Sequence, residues 1–414
     1  MSNEITLSPG QSAAMDAFMA FLLDPEQPVF VLAGYAGTGK STLVKYLLDA
    51  IPGIMKTIHM VNPKFTNMAV EVTATTNKAA DVLGQMTGYP VTTIHSFLGL
   101  SVQKDYTTGK TNLVDTRRKE FHNTLVFIDE ASFIDSKLLE FICNKLTKCK
   151  VVFIGDPAQL TPVKSTHTPV FNAGFPTACL TEVMRQAAGN PIITLATKFR
   201  ETVNTGDFFQ FTPDNVAIKW LDADAFKAEV DKEFLDPTWN YNRSKILAWT
   251  NKRVQQYNEY VTEQAKTTTE FQQGDFCVNN HHVSVGNTRL STDEMVFVSH
   301  VEGKVTLHGI TGTHLEVNHK LQVFVPDSWK EVKKKINMWR EHKEYSLIAT
   351  ADKWADLRAM YACTVNKSQG STFDKVFIDL SDIAKCNNGN TIARMLYVAV
   401  TRARYEVIMT GDIA

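Results

Sequence analysis

The chain has 414 residues, of which 44% are apolar and 21% are charged, as in ordinary globular proteins and unlike disordered or collagen-like ones. No stretch approaches the ~20 unbroken apolar residues of a transmembrane helix. Residues 1–10 lack a signal-peptide pattern, so we expect a cytoplasmic protein without a membrane partner. The net charge of −1 excludes a uniformly basic protein but is compatible with a local basic groove for nucleic acid. At least two domains are expected, because single cores stop growing at roughly 250–300 residues.

Short apolar runs alternate with helical patterns in the first part of the chain. Strands are predicted over residues 29–33, 70–74, 125–128 and 151–154, and helices over residues 41–50, 78–86 and 136–146. Residues 107–110 form a predicted turn between two short strands, residues 273–325 are predicted antiparallel β structure, and residues 329–343 form a predicted exposed amphipathic helix. The α/β pattern resumes at residue 361 and again at 376–380. This alternation indicates a mostly parallel sheet covered by helices.

A phosphate-binding loop is predicted between the first strand and the first helix. Residues 34–41 read Gly-Tyr-Ala-Gly-Thr-Gly-Lys-Ser and match G-x-x-x-x-G-K-[ST] in full. The glycines let backbone N–H groups face phosphate oxygens, Lys40 reaches the β- and γ-phosphates, and the Ser41 hydroxyl binds Mg²⁺. We therefore expect ATP and Mg²⁺ as cofactors. The predicted nucleotide-binding residues in and beside this loop are Gly34, Ala36, Gly37, Thr38, Gly39, Lys40, Ser41 and Thr42.

Two carboxylates follow the predicted strand at residues 125–128. Asp129 is predicted to bind Mg²⁺ together with Ser41, and Glu130 is predicted to polarise the attacking water as a general base. An Asp-Glu pair often only ends a strand. Directly after four apolar residues, in a chain with a phosphate-binding loop, it indicates ATP hydrolysis.

Further motifs surround these residues in a fixed order. They occupy residues 7–11, 73–80, 92–97, 155–160, 180–186, 248–252, 364–372 and 396–404. Together they resemble the motifs of superfamily 1B DNA helicases, most closely the Dda-type helicases of large tailed phages, over nearly the whole chain. The chain departs from the family pattern at Asn366, where the family has histidine.

The resemblance assigns several residues to the nucleotide. It implies that Gln11 reads the adenine edge, that Gln159 senses the γ-phosphate, and that Gly370 lies beside the nucleotide. It also implies that Arg185 is an arginine finger, although without the other motifs a surface salt bridge is the preferred interpretation of Arg185. The resemblance further implies that Arg402 reaches the γ-phosphate from the opposite lobe. The predicted catalytic residues are Lys40, Glu130, Gln159, Arg185 and Arg402.

Contacts with DNA are implied by the same resemblance. Small hydroxyl side chains and helix starts grip phosphate without reading sequence. For the two motifs at 73–80 and 92–97, a helix cap without any contact to DNA is an equal alternative. The predicted DNA-binding residues are Thr76, Asn77, His95, Ser96, Phe97, Thr250, Asn251, Thr364, Asn366 and Lys367.

The expected architecture is α/β, and the resemblance implies two RecA-like P-loop lobes, a β-hairpin (pin) insertion in the first lobe and an SH3-like β insertion in the second. The predicted boundaries are 1–98 and 124–185 for the first lobe, 99–123 for the hairpin, 186–263 and 356–414 for the second lobe, and 264–355 for the SH3-like insertion. Tyr106 or Phe121 is a candidate for stacking on a terminal base pair, with ordinary hairpin packing as the alternative. For the basic helix at 330–343 two interpretations stay open: a contact with DNA or a partner, and a solvated face.

These motifs predict an ATP-dependent DNA helicase, and the resemblance implies 5′ to 3′ movement on single-stranded DNA. A translocase that displaces proteins without strong unwinding is the alternative. The motifs at 155–160, 364–372 and 396–404 argue against a nucleotide-binding module such as a small-molecule kinase. Expected partners are single-stranded DNA, single-strand/duplex junctions, and a single-strand-binding protein or replisome component. RNA stays open as a substrate, and a monomer in the cytoplasm, that of the host for a phage protein, is implied by the resemblance.

Overall fold

The computed structural model describes residues 6–63, 65–117, 119–162, 165, 167–183, 189–266, 268–285 and 288–413. Among the helices in these ranges, none combines the length and apolar character needed to cross a membrane. The strands of the first half are β1 (Val29–Gly34), β2 (Ala69–Ala74), β3 (Val91–Thr93), β4 (Leu100–Lys104), β5 (Thr111–Asp115), β6 (Thr124–Asp129), β7 (Lys150–Gly155) and β8 (Thr177–Leu180). Six of them form a parallel sheet in the order β3-β2-β6-β7-β1-β8, and β4 pairs with β5 as the predicted hairpin.

Helices cover both faces of this first sheet. They are α1 (Pro9–Leu23), α2 (Lys40–Val61), α3 (Asn77–Thr87), α4 (Ile94–Leu98), a 3-10 turn (Ala131–Phe133), α5 (Ser136–Lys145) and α6 (Pro169–Asn172). The prediction that α2 ends at residue 50 is wrong, because the helix continues through Pro52. Ile51, Met55 and Ile58 extend its buried face, and this apolar packing outweighs the hydrogen bond that proline cannot donate.

The second half begins with the strands and helices of another sheet and then departs from it. In chain order the elements are α7 (Pro191–Thr205), β9 (Ile218–Leu221), α8 (Ala223–Phe234), β10 (Ser244–Ala248), α9 (Asn251–Lys266), β11 (Phe276–Asn279), β12 (Val283–Val285), β13 (Thr288–Leu290), β14 (Met295–Leu307), β15 (Ile310–Val317), β16 (Leu321–Pro326), α10 (Trp329–Glu341), α11 (Tyr345–Ala351), β17 (Leu357–Arg358), β18 (Ala362–Thr364), α12 (Val365–Ser368), β19 (Phe373–Asp379), α13 (Leu380–Ile383), α14 (Gly389–Thr401) and β20 (Ala403–Thr410). The second sheet is parallel, in the order β18-β10-β19-β20-β9.

A third sheet separates α9 from β18 in the sequence. It is antiparallel, in the order β16-β15-β14-β11-β17, and β12 pairs with β13 beside it. Antiparallel β structure was predicted for this part of the chain, and so was the helix that follows it, observed as α10. Because β17 belongs to the third sheet, the sheet reaches Arg358, three residues past the predicted boundary at 355.

We name these parts the first lobe (the first sheet with α1–α6), the second lobe (the second sheet with α7–α9 and α12–α14) and the insertion (the third sheet with β12, β13, α10 and α11). The lobes share apolar contacts: the cluster that packs α7 and α14 on the second sheet also contains Ala158 and Leu160, from the loop after β7 of the first lobe. The insertion has its own cores, one around Val298 and Leu315 and one that buries α10 and α11.

Candidate functional site

Nearly all predicted site residues follow the carboxyl ends of parallel strands, which meet at one edge of each sheet. From β3 to β8, the edge of the first sheet carries residues 92–97, 73–80, 129–130, 155–160, 34–41 and 180–183. The predicted DNA-binding residues therefore lie on the β3–β2 side, and the predicted nucleotide residues lie on the β6–β7–β1 side. In the second sheet, the predicted DNA-binding residues follow its two neighbouring strands β18 and β10.

The phosphate-binding loop joins β1 to α2 as the sequence predicts. A side chain at Gly34 is sterically excluded, because an added Cβ would lie 2.8 Å from Cγ of Lys40 and 3.0 Å from Oγ1 of Thr38. Gly37 and Gly39 have φ angles of 78° and 75°, which favour glycine. Nζ of Lys40 donates to the carbonyl oxygen of Gly34 at 2.6 Å. The loop is thus tightly curled around its lysine.

The two carboxylates lie at the end of β6, facing this loop. The backbone N–H of Glu130 donates to Oδ1 of Asp129 at 2.8 Å, and Glu130 has a left-handed φ of 54°, a strained conformation for a residue with a side chain. Burial, and next the nearby Asp129 carboxylate, raise the pKa of Glu130 to about 7. Burial also raises the pKa of Asp129, against the opposing effect of Lys40. A carboxyl group that titrates near neutrality is suited to accept a proton from water.

The residues present fit a nucleoside triphosphate with Mg²⁺. The loop cradle excludes side chains at Gly34, and the N-terminus of α2 adds a positive dipole end. Ser41 and Thr42 are exposed there, and the Asp129 carboxylate acts on Lys40 electrostatically from the neighbouring strand. Hydroxyl and carboxylate oxygens are the ligands that Mg²⁺ takes at such sites.

Gln11 lies against the same loop from the N-terminal side. Its side chain is buried, its Oε1 accepts from the N–H of Ser8 at 3.0 Å, and its Nε2 faces the carbonyl oxygens of Thr38 and Gly39 at 3.5 Å each. Gln11 therefore also caps α1, a structural task that the sequence analysis did not assign. The side-chain amide of Gln11 thus lies between the start of α1 and the phosphate-binding loop.

A buried amide pair connects the lobes at the loop after β7. Nε2 of Gln369 donates to Oε1 of Gln159 at 2.6 Å and to Oγ of Ser132 at 3.1 Å. Nη1 of Arg394, from α14, also donates to the carbonyl oxygens of Pro157 and Gln159 at 2.7 and 2.6 Å. Gln159 was predicted to sense the γ-phosphate, whereas its partners Gln369 and Arg394 received no role from the sequence.

A tyrosine makes the second polar connection between the lobes. The hydroxyl of Tyr397, on α14, donates to Oδ2 of Asp156 at 2.6 Å and accepts from the N–H of Ala36 at 2.8 Å. Tyr397 is 2% exposed and Asp156 is fully buried. Burial, and next the negative charge of Asp156, raise the pKa of Tyr397 far above its usual value. Tyr397 therefore stays a neutral donor that joins the phosphate-binding loop to residues 155–160.

The predicted arginine of the second lobe is held by backbone carbonyl groups. Arg402 is buried, and its guanidinium donates to the carbonyl oxygens of Val398 and Ser371 at 3.1 and 3.0 Å. Burial lowers its pKa, and the Glu130 carboxylate acts in the opposite direction, which places Arg402 near the candidate base. A Cβ added to Gly370 would lie 3.7 Å from Oε1 of Glu130, so this second-lobe glycine also reaches the cleft. Arg185 lies outside the described residues.

The start of α3 carries the first predicted DNA-binding residues. The hydroxyl of Thr76 accepts from the N–H of Ala79 at 3.1 Å and caps the helix, while Asn77 beside it is exposed. Thr75 donates to the carbonyl oxygen of Glu130 at 3.2 Å. The residue next to the predicted DNA contacts therefore bonds to the backbone of Glu130, the residue whose side chain is the candidate base, and this contact was not predicted.

The short helix α4 carries the next group. Ser96 is exposed, and His95 is partly buried, which lowers its pKa. The Phe97 ring packs on Phe121 at a centroid distance of 4.6 Å. Phe121 also contacts the apolar cluster on that face of the first sheet, so ordinary packing engages Phe121, one of the two candidates for base stacking.

In the second lobe, Thr250 follows β10 and is fixed by one carboxylate. Its N–H and hydroxyl donate to the two oxygens of Asp382 at 2.7 and 2.9 Å, and the N–H of Trp249 donates to the same side chain at 3.0 Å. Asn251 is exposed at the start of α9. Asp382 thus fixes the backbone at Trp249 and Thr250, directly before Asn251, at the carboxyl edge of the second sheet.

Residues at the end of β18 connect the second lobe to the insertion. The Thr364 hydroxyl accepts from the N–H of Lys367 at 3.3 Å and caps α12, and Asn366 is partly exposed. Nζ of Lys367 donates to Oδ1 of Asn280 at 2.5 Å and to Oδ1 of Asp293 at 2.7 Å, both in the insertion. Lys367 therefore already has two oxygen partners beside the predicted groove.

The hairpin leaves α4 and meets the insertion at its tip. Nζ of Lys104 pairs with Oδ1 of Asp352 at 2.5 Å, and Nε of Arg340 donates to the carbonyl oxygen of Tyr106 at 3.0 Å. The Tyr106 ring packs against the apolar cluster that contains Trp354. Packing therefore occupies Tyr106, the other base-stacking candidate. The apolar side chain that the hairpin leaves open is Val102, 67% exposed.

Two family models match separate parts of the chain. A family model described as AAA domain matches residues 6–223, more than half of the chain. The chain belongs to the AAA domain family. A second model, described as the UvrD-like helicase C-terminal domain, matches residues 359–410 of this AAA-domain protein, within the second lobe.

Curated relatives of this AAA-domain protein include DNA helicases of similar length. It is 24% identical to the ATP-dependent DNA helicase dda of Enterobacteria phage T4, over 97% of the chain and 98% of that protein. It is 24% identical to the ATP-dependent DNA helicase Pif1 of Bdellovibrio bacteriovorus, over 97% of the chain and 87% of that protein. A match at 31% identity to the RecD2 helicase of Deinococcus radiodurans covers 46% of the chain and 23% of that protein. The resemblance to Dda-type helicases is therefore confirmed.

Solved structures share the fold. A structure of two coordinating Pif1 helicases, which concerns DNA unwinding at forked duplex DNA, matches with a TM-score of 0.51 and 18% identity. The match covers 99% of this chain and 93% of that one. Bacteroides Pif1 in complex with ADP-AlF3 and single-stranded DNA matches with a TM-score of 0.50 and 17% identity, over 99% and 94%. The expected α/β class with two RecA-like lobes is confirmed by this likeness.

Proposed function

We propose that the chain is an ATP-dependent DNA helicase that moves 5′ to 3′ on single-stranded DNA and unwinds duplex. The observation that carries this proposal is the buried bond between Gln159 and Gln369. Gln159 follows β7 on the nucleotide side of the first lobe, and Gln369 follows α12, which carries Asn366 and Lys367. A side-chain bond between these two places gives the state of the nucleotide a direct route to the proposed DNA grip. Full-length similarity to proteins named as DNA helicases supports the same function.

Hydrolysis is proposed to use the side chains that meet at the cleft. Lys40 binds the β- and γ-phosphates, and the Glu130 carboxylate accepts a proton from the water that attacks the γ-phosphorus while ADP leaves. Arg402, close to Glu130, stabilises the charge on the γ-phosphate oxygens. An arginine in this role contributes about 10³–10⁵ in rate in comparable enzymes. Arg185 is proposed as a further arginine finger, and Gln11 as the reader of the adenine edge.

Ser41 and Asp129 are the residues that we propose hold Mg²⁺, which when bound neutralises charge on the β- and γ-phosphate oxygens. A cytoplasmic location, a monomeric state, and a single-strand-binding protein or replisome component as partner are proposed from the resemblance to Dda-type helicases. The domain boundaries proposed from the sequence are kept, with the SH3-like insertion extended to Arg358 because β17 pairs with β11.

DNA is proposed to lie along the carboxyl edges of β3 and β2 in the first lobe and of β18 and β10 in the second. Closure of the cleft on ATP and opening after hydrolysis then move one set of contacts relative to the other. The proposed contact residues are Thr76, Asn77, His95, Ser96, Phe97, Thr250, Asn251, Thr364, Asn366 and Lys367. The β4–β5 hairpin is proposed as the pin, with exposed Val102 as the side chain that meets the terminal base pair, since Tyr106 and Phe121 are engaged in packing.

Unwinding of a short duplex with either a 5′ or a 3′ single-stranded tail tests the function. The assay contains ATP and Mg²⁺ and compares the native protein with Lys40→Ala. We expect unwinding from the 5′ tail only, with complete loss in Lys40→Ala. Unwinding from the 3′ tail contradicts the polarity, and ATP hydrolysis that single strands do not stimulate contradicts the motor. Stimulated hydrolysis without unwinding from either tail instead supports the translocase alternative.

A further inference from the structure

One helix of the insertion has a charge unlike that of the rest of the chain. α10 contains five basic side chains and two carboxylates, which gives a net charge of +3 in a protein of net charge −1. Its apolar face is buried: Val332 and Trp339 pack into the cluster that also holds Trp354. Three of the basic residues are exposed to solvent, whereas Arg340 donates to the hairpin turn and Lys335 lies against Gly309 of the insertion. The opposite face of the helix is held by its buried side chains.

Three lysines share the exposed face. Lys330, Lys333 and Lys334 are exposed, and at 100° per residue they span roughly 100° of the helix surface opposite the buried Val332. Within the ranges that the structure describes, no carboxylate forms an ion pair with any of them. Unpaired lysines on one rigid face leave their charge available to an external anion.

The position of α10 beside the hairpin indicates which anion its lysines can reach. Arg340, on the hairpin side of the same helix, donates to the carbonyl oxygen of Tyr106 in the hairpin turn. The guanidinium of Arg340 also closes on the turn at Gly109, where an added Cβ would lie 2.8 Å from Nη2. The helix that carries the lysine face is therefore attached to the tip of the hairpin through Arg340.

We propose that the exposed lysine face of α10 binds the phosphate backbone of the duplex that lies ahead of the hairpin. The inference rests on the proposed function, since it places the duplex on the far side of the pin. Lysine contacts with phosphates are independent of sequence, and each one that forms releases counterions from the duplex. The face would hold the unopened duplex against the hairpin, so that movement of the single strand presses the junction onto the pin.

The test compares binding of two DNAs by fluorescence anisotropy, without nucleotide. One is a 5′-tailed single strand, and the other is the same tail joined to a duplex. Lys330→Gln/Lys333→Gln/Lys334→Gln removes three charges from the face. The matched control, Lys56→Gln/Lys148→Gln/Lys232→Gln, removes three charges from exposed lysines at the opposite, amino-terminal edges of the sheets.

We expect the α10 variant to lose affinity for the tailed duplex on the order of tenfold and to lower its salt slope by about 2–3, because each phosphate contact contributes about 0.9 to the slope. Affinity for the single strand and its stimulation of ATP hydrolysis should equal those of the control. Equal loss on both DNAs overturns the proposal, because the face would then be part of the single-strand groove. Unchanged binding of the tailed duplex also overturns it and leaves an acidic protein as the occupant. Failure of the motor itself is distinguishable, because the native protein would then show no stimulated ATP hydrolysis.

Discussion

Removing a single oxygen atom from the cleft tests how the lobes communicate. Tyr397→Phe deletes the hydroxyl that joins Asp156 to the N–H of Ala36, while the buried ring stays in place. A hydrogen bond to a charged group contributes about 1.5–3 kcal/mol. Asp156 keeps one partner, the N–H of Ala158 at 2.9 Å. If the lost bond acts in the transition state, kcat of DNA-stimulated ATP hydrolysis falls by about 10–150-fold, since each 1.36 kcal/mol is tenfold in rate.

Steady-state ATP hydrolysis with saturating single-stranded DNA measures this effect, and KM for ATP should not rise, because the substitution leaves Lys40, the proposed phosphate ligand, unchanged. Tyr405→Phe is the matched control, since Tyr405 lies in the same lobe and is 71% exposed. Urea unfolding of both variants separates a loss of stability from a loss of rate. A double-mutant cycle with Asp156→Asn reports whether the two side chains act together. Strict additivity in that cycle, or a kcat for Tyr397→Phe within about twofold of the native value, would refute the reasoning.

Three further predictions concern the base, the amide pair and the hairpin. Because Glu130 has a pKa raised to about 7 and acts when ionised, kcat should fall about tenfold per pH unit below that value and level off above it, as a pH series of ATP hydrolysis would record. Gln369→Ala breaks the bond to Gln159 and should reduce stimulation of ATP hydrolysis by DNA about tenfold while leaving the basal rate unchanged. Tyr106→Ala removes the hairpin tip from its apolar cluster and should lower the unwinding rate severalfold, with DNA-stimulated ATP hydrolysis retained.

Each of these has an outcome that contradicts it. A kcat that is constant from about pH 5.5 to 8.5 excludes Glu130 as a base with a pKa near 7, and Glu130→Gln supplies the reference without that ionisation. Loss of the basal rate in Gln369→Ala would make the amide pair part of the nucleotide site rather than a connection to DNA. Equal losses of ATP hydrolysis and unwinding in Tyr106→Ala would show that the hairpin supports the fold of the first lobe instead of strand separation.

Local pattern was sufficient to predict the phosphate-binding loop, the strands β1, β2, β6 and β7, and the helices α3 and α5 of the first lobe. The loop at residues 34–41 lies between β1 and α2, because the strand, the glycines and the helix are adjacent in the sequence. Periodicity failed at Pro52, where proline predicts a helix end and long-range packing decides otherwise. Turn chemistry correctly predicted the hairpin at residues 107–110.

The connections across the cleft could not be predicted in this way. Ala36 and Tyr397 are 361 positions apart, and Gln159 and Gln369 are 210 apart. The motif at residues 396–404 implies a functional arginine at position 402, but which face of α14 meets Asp156 depends on how the lobes dock. The same limit applies to Tyr106, since its apolar partners come from the insertion, about 200 or more positions later in the chain.

The hairpin gives the molecule the mechanics of a closed linkage. It is rooted in the first lobe at α4, and its tip is bonded to the insertion, which is bonded in turn to the second lobe through Lys367. The lobes also meet at Tyr397 and Gln369, so the chain of rigid parts returns to its start. A hairpin arm of five residues is about 17 Å long, and each degree of rotation about its root moves its tip by about 0.3 Å. Opening or closing of the cleft therefore also affects the insertion. Either the insertion rotates together with the hairpin, or its contact with Lys367 breaks.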